Sequence, residues 1–458
     1  MYALLRAIAG VALRWYYRDI QVEGVERIPR RRPLLLVVNH PNALIDALLV
    51  AWVVPRRVLI TAKSTLFTNP VAGAVLRWLR VVPLRRVSDE ADKSMLDPSR
   101  NLDTFRAVVE ALARGGTVLI FPEGKTHDEP SLAPLKTGAA RMALQATQSG
   151  GVGDLVVLPI GLTFERKDAP RTRVLVQIGD AIDMRSWEAP STANAAEALT
   201  AEIEARLRAV TLNYASLDEA GRAVRLASTI AALTEGVPEI GVVDRRLAVD
   251  TAVARRLDEI SRQLANADRP TKLEAELLVR RLEAVSHVAT KHGVLLEDVG
   301  ISVSAGAGVG FLIREAWLLL LAGPIAIWGR VNHWLPFRAA RIVGMQSIES
   351  AADPAMRTLV AGLAFVALTY AVQTTAVAMV FGLGVGVAYL VSLPLAAEAN
   401  FYLSDRLRRA MRRARTFVRF RRDPALQARL WGELSNLRSD VAHLERALTE
   451  PHARAATR

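Results

Sequence analysis

A histidine and an aspartate with five residues between them stand in Val37-Val38-Asn39-His40-Pro41-Asn42-Ala43-Leu44-Ile45-Asp46, where an apolar strand runs into a loop and then into an apolar helix. A neutral imidazole, with an ordinary pKa of about 6.5, can take a proton from an alcohol at physiological pH. A carboxylate bonded to its other nitrogen would fix the tautomer and stabilise the imidazolium, which makes the pair a general-base dyad. On one continuous helix this spacing puts the two side chains on different faces, so the Pro41-Asn42 turn must fold the chain back. The proline also disfavours helix at His40.

Three further clusters close apolar strands. Phe121-Pro122-Glu123-Gly124-Lys125-Thr126-His127-Asp128 contains a Gly-Lys-Thr run, yet a P-loop needs a glycine where Leu119 stands. What remains is a tight turn offering backbone N–H groups and Lys125 to an anion, with Glu123 able to hold a hydroxyl or a basic side chain. Val82-Pro83-Leu84-Arg85-Arg86 ends in two guanidinium groups suited to phosphate. Val157-Leu158-Pro159-Ile160 carries no reactive group and reads as a strand with an edge proline. The chain has no cysteine, which excludes disulfides, thiolate zinc sites and a cysteine nucleophile. It also lacks the Gly-x-Ser-x-Gly turn of a serine hydrolase.

The elements that must position these residues follow from the apolar pattern. Short apolar runs at 34–38, 58–62, 81–84, 118–121, 156–163 and 174–178 alternate with helical stretches, as in an α/β domain whose strands are covered on both faces. The expected organisation is an interfacial helix over 1–22, an α/β catalytic domain over 23–190 and a helical region over 191–299. Membrane-associated segments follow over 300–400, then a basic segment with a C-terminal amphipathic helix over 401–458. Residues 358–397 contain no Asp, Glu, Lys or Arg; as a helix they would measure about 60 Å, twice the hydrocarbon thickness, so a hairpin of two crossings is expected. The uncharged run 316–329 is short for a span and reads as interfacial or re-entrant. The formal net charge is +13, and arginines crowd 406–422 directly after the apolar stretch. That arrangement suits lipid phosphates better than nucleic acid and places the catalytic domain on the cytoplasmic side of an inner or cytoplasmic membrane. After Pro424, leucines spaced by three or four residues form one apolar seam, suited to packing on the chain's own helices or to a homodimer.

In order and spacing the four clusters resemble the phospholipid and glycerol acyltransferase superfamily, and over about residues 20–185 they resemble its branch of fungal glycerol-3-phosphate and dihydroxyacetone-phosphate acyltransferases and bacterial relatives. The first motif holds one residue more between His and Asp than the superfamily's common form. The resemblance implies a mixed sheet flanked by helices, with His40 as general base and Asp46 as its orienting partner. It also implies that Arg86 binds the acceptor phosphate and that Glu123 and Gly124 belong to the glycerophosphate site, to which we add Lys125. Asn39, His127 and Lys136 complete the candidate set, and Pro159 would shape a pocket through packing. The implied reaction transfers an acyl group from acyl-CoA or acyl carrier protein to glycerol-3-phosphate, dihydroxyacetone phosphate or lysophosphatidate, with no metal or other cofactor. The competing reading is a non-catalytic, membrane-tethered lipid-binding scaffold.

Overall fold

A computed structural model describes residues 2–63, 82–84, 99–148, 151–190, 194–234, 247–265, 267–346 and 353–456. The chain forms two compact units, one of residues 1–213 with 339–363 and one of 214–338 with 364–458.

The first unit is built on a mixed sheet. Its strands are β1 (Asp19–Glu23), β2 (Leu34–Val38), β3 (Val58–Lys63), β4 (Val82–Leu84), β5 (Thr117–Ile120), β6 (Val156–Phe164), β7 (Arg173–Ile178) and β8 (Ile182–Asp183). They lie in the order β1-β7-β6-β2-β5-β3-β4, with β8 beside β6. β7 and β8 run antiparallel to β6, and the remaining pairs are parallel. The helices are α1 (Tyr2–Tyr16), α2 (Ala43–Val53), α3 (Ser99–Ala113), α4 (Gly138–Gln148) and α5 (Ala195–Val210).

Every residue of β2 is buried. Because successive side chains point to opposite faces, this one strand feeds two cores. Leu34, Leu36 and Val38 pack with Leu13, Ile45, Leu49 and Val50 from α1 and α2, joined by Ala355 and Leu359. Leu35 and Val37 pack with Val108, Leu112, Ala140, Leu199 and Leu207 from α3, α4 and α5. Each fully buried leucine contributes about 1.5–3 kcal/mol, so a charge at Leu36 would unfold the unit. A bidentate Arg32–Asp183 pair (2.8 and 2.5 Å) holds the entry of β2 to β8. Pro159 lies where the outer side of β6 changes partner: β8 pairs 156–157 and β7 pairs 160–164. Its carbonyl accepts from Gly179 N (2.9 Å), so its missing N–H costs no ladder bond there.

Two strands escaped the apolar pattern. β1 alternates Asp19, Ile20, Gln21, Val22 and Glu23, and β8 is two residues long, so neither has the continuous apolar run that marks the rest. α1 buries Gly10, Ala12, Leu13 and Tyr16 and exposes Leu4 and Ile8. A side chain at position 10 would meet the Trp52 indole at 2.5 Å, so glycine permits the close approach of α1 to α2.

The second unit is helical: α6 (Leu217–Thr234), α7 (Leu247–Ala265), α8 (Arg269–Lys291), most of α9 (Ala305–Gly344) and α10 (Asp353–Phe381), then α11 (Leu383–Arg422) and α12 (Pro424–Ala456). Pro270 starts α8, beside an Asp268 cap that accepts from Thr271 N. The leucine seam of α12, Leu426, Leu430, Leu434, Leu437, Leu444 and Leu448, is buried with Ala275, Leu278, Leu282 and Val285 of α8, so the chain's own helices take it. Part of the basic run is also paired internally. Arg406 grips Glu315 (2.9 and 2.9 Å), Arg413 reaches Asp298 (3.2 Å) and Arg408 reaches Asp405 (2.6 Å), while Arg415, Arg419, Arg421 and Arg422 are exposed. α9, α10 and α11 are long and apolar enough to cross a bilayer and mark the chain as a membrane protein. Residues 316–329 lie inside the 40-residue α9, which continues through Asn332 and His333. Those polar groups find partners on neighbouring helices, His333 on Tyr370 of α10 and Asn332 on Tyr389 of α11.

Candidate active site

The chain does fold back after β2. Ala43 takes a left-handed φ of 47°, uncommon for a residue with a Cβ, and this turn lets His40 Nδ1 reach Asp46 Oδ2 at 3.0 Å. The same oxygen accepts from Asn42 N (2.7 Å), so a first-turn aspartate ties down the start of its own helix. Asp46 is fully buried. Burial pushes its carboxyl above the ordinary range, against the pull of the His40 and Asn42 N–H groups. With the Nδ1 proton given to Asp46, the lone pair of His40 sits on Nε2. The imidazole is 14% exposed and stacks on Phe121, centroids 3.8 Å apart and planes at 16°.

The turn after β5 meets this loop from the other side. Glu123 is buried, and its Oε1 accepts from His40 N (2.7 Å). Its Oε2 accepts from Ala133 N (2.9 Å) and pairs with His127 Nε2. Both oxygens are therefore engaged by protein groups, and Glu123 braces the histidine loop through its backbone. Gly124 has φ 77°, and Lys136 folds over it so closely that a Cβ would lie 3.0 Å from Nζ. Lys136 N closes the loop onto Pro122 O (2.9 Å). Lys125 and Lys136 are exposed, offering cations at the turn. Asn39 clamps β6 with its amide, donating to Leu162 O (3.0 Å) and accepting from Leu162 N (2.7 Å). Thus His40, Asp46, Asn39, Glu123, Gly124 and His127 come together around one loop pair. Pro159 lies in the adjoining strand, and Arg86 falls outside the described residues.

Three contributors carry no sequence signal that could have found them. Tyr17 is buried, which raises its hydroxyl well above the usual range, and it accepts from Asn42 Nδ2 (3.2 Å). Phe121 floors the imidazole. Lys167, from the β6–β7 connection, donates to Pro41 O (3.4 Å) and His127 O (3.0 Å) and pairs with Asp128 (2.6 Å). Its three N–H groups meet three acceptors, so it binds the two loops together. Only long-range folding brings it there, 126 residues from Pro41.

Part of this chain is similar to known proteins. The acyltransferase family matches residues 19–163. Glycerol-3-phosphate O-acyltransferase 2 of Saccharomyces cerevisiae is 40% identical over 82 residues, 18% of this chain and 11% of its own length. A chloroplastic 1-acyl-sn-glycerol-3-phosphate acyltransferase of Arabidopsis thaliana is 27% identical over 163 residues, 35% of this chain and 40% of its own. The crystal structure of a 1-acyl-sn-glycerophosphate acyltransferase from Thermotoga maritima is similar over 45% of this chain and 78% of its own, at 25% identity and a TM-score of 0.34. The matches span less than half of these two curated relatives' lengths. Residues 19–163 thus match the acyltransferase family, and the relatives are consistent with the phospholipid and glycerol acyltransferase superfamily.

Proposed function

We propose that the chain transfers a fatty acyl group from a thioester donor, acyl-CoA or acyl carrier protein, to a hydroxyl of glycerol-3-phosphate. The observation that carries this reading is the His40–Asp46 pair, with one imidazole nitrogen held by a buried carboxylate and the other left open. His40 Nε2 takes the acceptor's hydroxyl proton as its oxygen attacks the thioester carbonyl. The C–S bond breaks as the tetrahedral adduct collapses, and the thiolate recovers the proton from the imidazolium. Ester and thiol are the products, and no acyl-enzyme forms. Asp46 stabilises the imidazolium, while Glu123 fixes the backbone of the residue that carries it. Gly124 lets the turn approach the acceptor, and Lys125, Lys136 and Arg86 supply charge for its phosphate. The choice of glycerol-3-phosphate rests on the motif spacing and on the 40% identity with the yeast protein of that name. Donors of this kind are soluble in the cytoplasm, which favours the cytoplasmic face of the membrane.

The test is thiol release from palmitoyl-CoA by detergent-purified protein with glycerol-3-phosphate, dihydroxyacetone phosphate or lysophosphatidate supplied separately. Release that depends on glycerol-3-phosphate supports the reading, and release with lysophosphatidate alone reassigns the acceptor. No release with any acceptor, from palmitoyl-CoA or from a palmitoylated acyl carrier protein supplied in its place, overturns it in favour of a lipid-binding scaffold.

A further inference from the structure

The three apolar helices are each long enough to cross a bilayer, yet the way the two cores are assembled restricts which of them can. Residues 2–213 and 339–363 build one unit: Ala355 and Leu359 are buried in the same core as Leu13, Ile45 and Val50. A core cannot be shared across a bilayer, so residues 213 and 339 lie on one side of it. Between them, among the described residues, stands a single candidate span, α9. One crossing cannot leave a side and return to it.

The second unit gives an independent count. Leu426, Leu430 and Leu437 after the apolar helices share a core with Ala275, Leu278 and Leu282 before them. The number of crossings among α9, α10 and α11 is therefore even. With α9 excluded, α10 and α11 both cross or neither does.

Side-chain contacts decide between these. α11 runs antiparallel along α9: Gly308 lies against Phe417, Arg406 pairs with Glu315, Gly329 lies against Ala396, Trp328 donates to Ser392 (3.3 Å) and Tyr389 donates to Asn332 (2.7 Å). Only residues 383–388 of α11 extend past these contacts, about 9 Å of helix against a hydrocarbon core of about 30 Å. If α9 does not cross, α11 cannot.

We propose that α9, α10 and α11 form a slab lying along one face of the membrane, with none of them crossing, and that its occupant is the headgroup and upper acyl region of a single leaflet. The surface chemistry fits. Arg330, Arg338 and Arg341 are exposed and recur on one side of the second half of α9, the pattern of a helix whose cations meet a plane of phosphates. Its longest uncharged run, 316–329, is about 21 Å, too short for a span. Trp317, Trp328 and Trp334 are exposed along it, the residue type favoured at headgroup depth. At the hairpin tip Met379, Val380, Phe381 and Leu383 are among the most exposed apolar side chains, and the stretch around them, 358–397, contains no charged residue. The chain reverses there over a single residue, with Gly382 N donating to Ala378 O (2.9 Å) and Gly386 N to Gly382 O (3.1 Å).

The natural absence of cysteine makes the experiment clean. Single cysteines replace Ala305, Met345 and Phe381 in the full chain, each variant being checked for an unchanged melting temperature. Sealed vesicles of both orientations are then treated with a membrane-impermeant maleimide. Ala305→Cys and Met345→Cys should label in the same orientation only, and Phe381→Cys in neither, becoming reactive once detergent is added. Labelling of the first two in opposite orientations would show that α9 crosses. Labelling of Phe381→Cys only in the orientation in which the others are silent would show a hairpin of two crossings. Either result overturns the proposal.

Discussion

Two histidines serve this chain in opposite ways. His333, in α9, is fully buried with both nitrogens committed, Nδ1 to Gly329 O (2.8 Å) and Nε2 to Tyr370 OH (2.6 Å). Phe337 stacks against it. His40 commits only Nδ1, to a carboxylate, and keeps Nε2 open at a partly exposed face. The side chain is the same, so the difference lies in how many nitrogens the fold consumes and in whether the ring meets solvent. An imidazole with two fixed partners can join helices but cannot exchange a proton with a substrate. One with a single acidic partner is oriented and still has a basic site to use.

Changes around the two histidines should separate these roles. The largest effect is expected at Asp46→Asn, which removes the charge that stabilises the imidazolium; acyl transfer should fall by about 10²–10⁴-fold at unchanged KM for the donor. Lys167→Met, which frees the two loops from one another, should lower kcat on the order of 10-fold through misplacement of His40, and Lys167→Arg should recover much of it. His333→Phe should leave turnover per folded molecule intact while the orphaned Tyr370 hydroxyl costs about 1–3 kcal/mol in denaturant unfolding. A fall in kcat at His333 matching that at Asp46 would erase the distinction. The smallest effect concerns neither histidine. Arg32 holds the Asp183 carboxyl down to about 2, so this pair stabilises the fold above the ordinary carboxylate range and its contribution is lost as pH falls from about 4 to about 2. Because the pair is solvent-exposed it contributes less than about 1 kcal/mol, and Asp183→Asn should slightly flatten the acid limb of a stability–pH curve.

The legible part of the molecule is the part encoded locally. The strands with continuous apolar runs, the turn at Pro41-Asn42 and the seam of α12 all follow from spacing, and the dyad was readable because both members lie within one turn of chain. The alternating edge strand β1 was not, since Ile20 and Val22 between charged and polar neighbours give too weak a signal. Nor was the support of the site: Tyr17, Lys167 and Phe121 reach His40 and its loop through tertiary contacts that no local pattern encodes. Glu123 shows the same limit differently, for its motif marks a site residue while its geometry shows both oxygens spent on protein groups.

The most direct test of the general-base assignment is the rate of acyl transfer by His40→Ala beside His333→Ala, each normalised to folded protein and with the ester product identified. A loss of about 10²–10⁴-fold is expected for His40→Ala and an unchanged rate for His333→Ala. Transfer that survives in folded His40→Ala would contradict it.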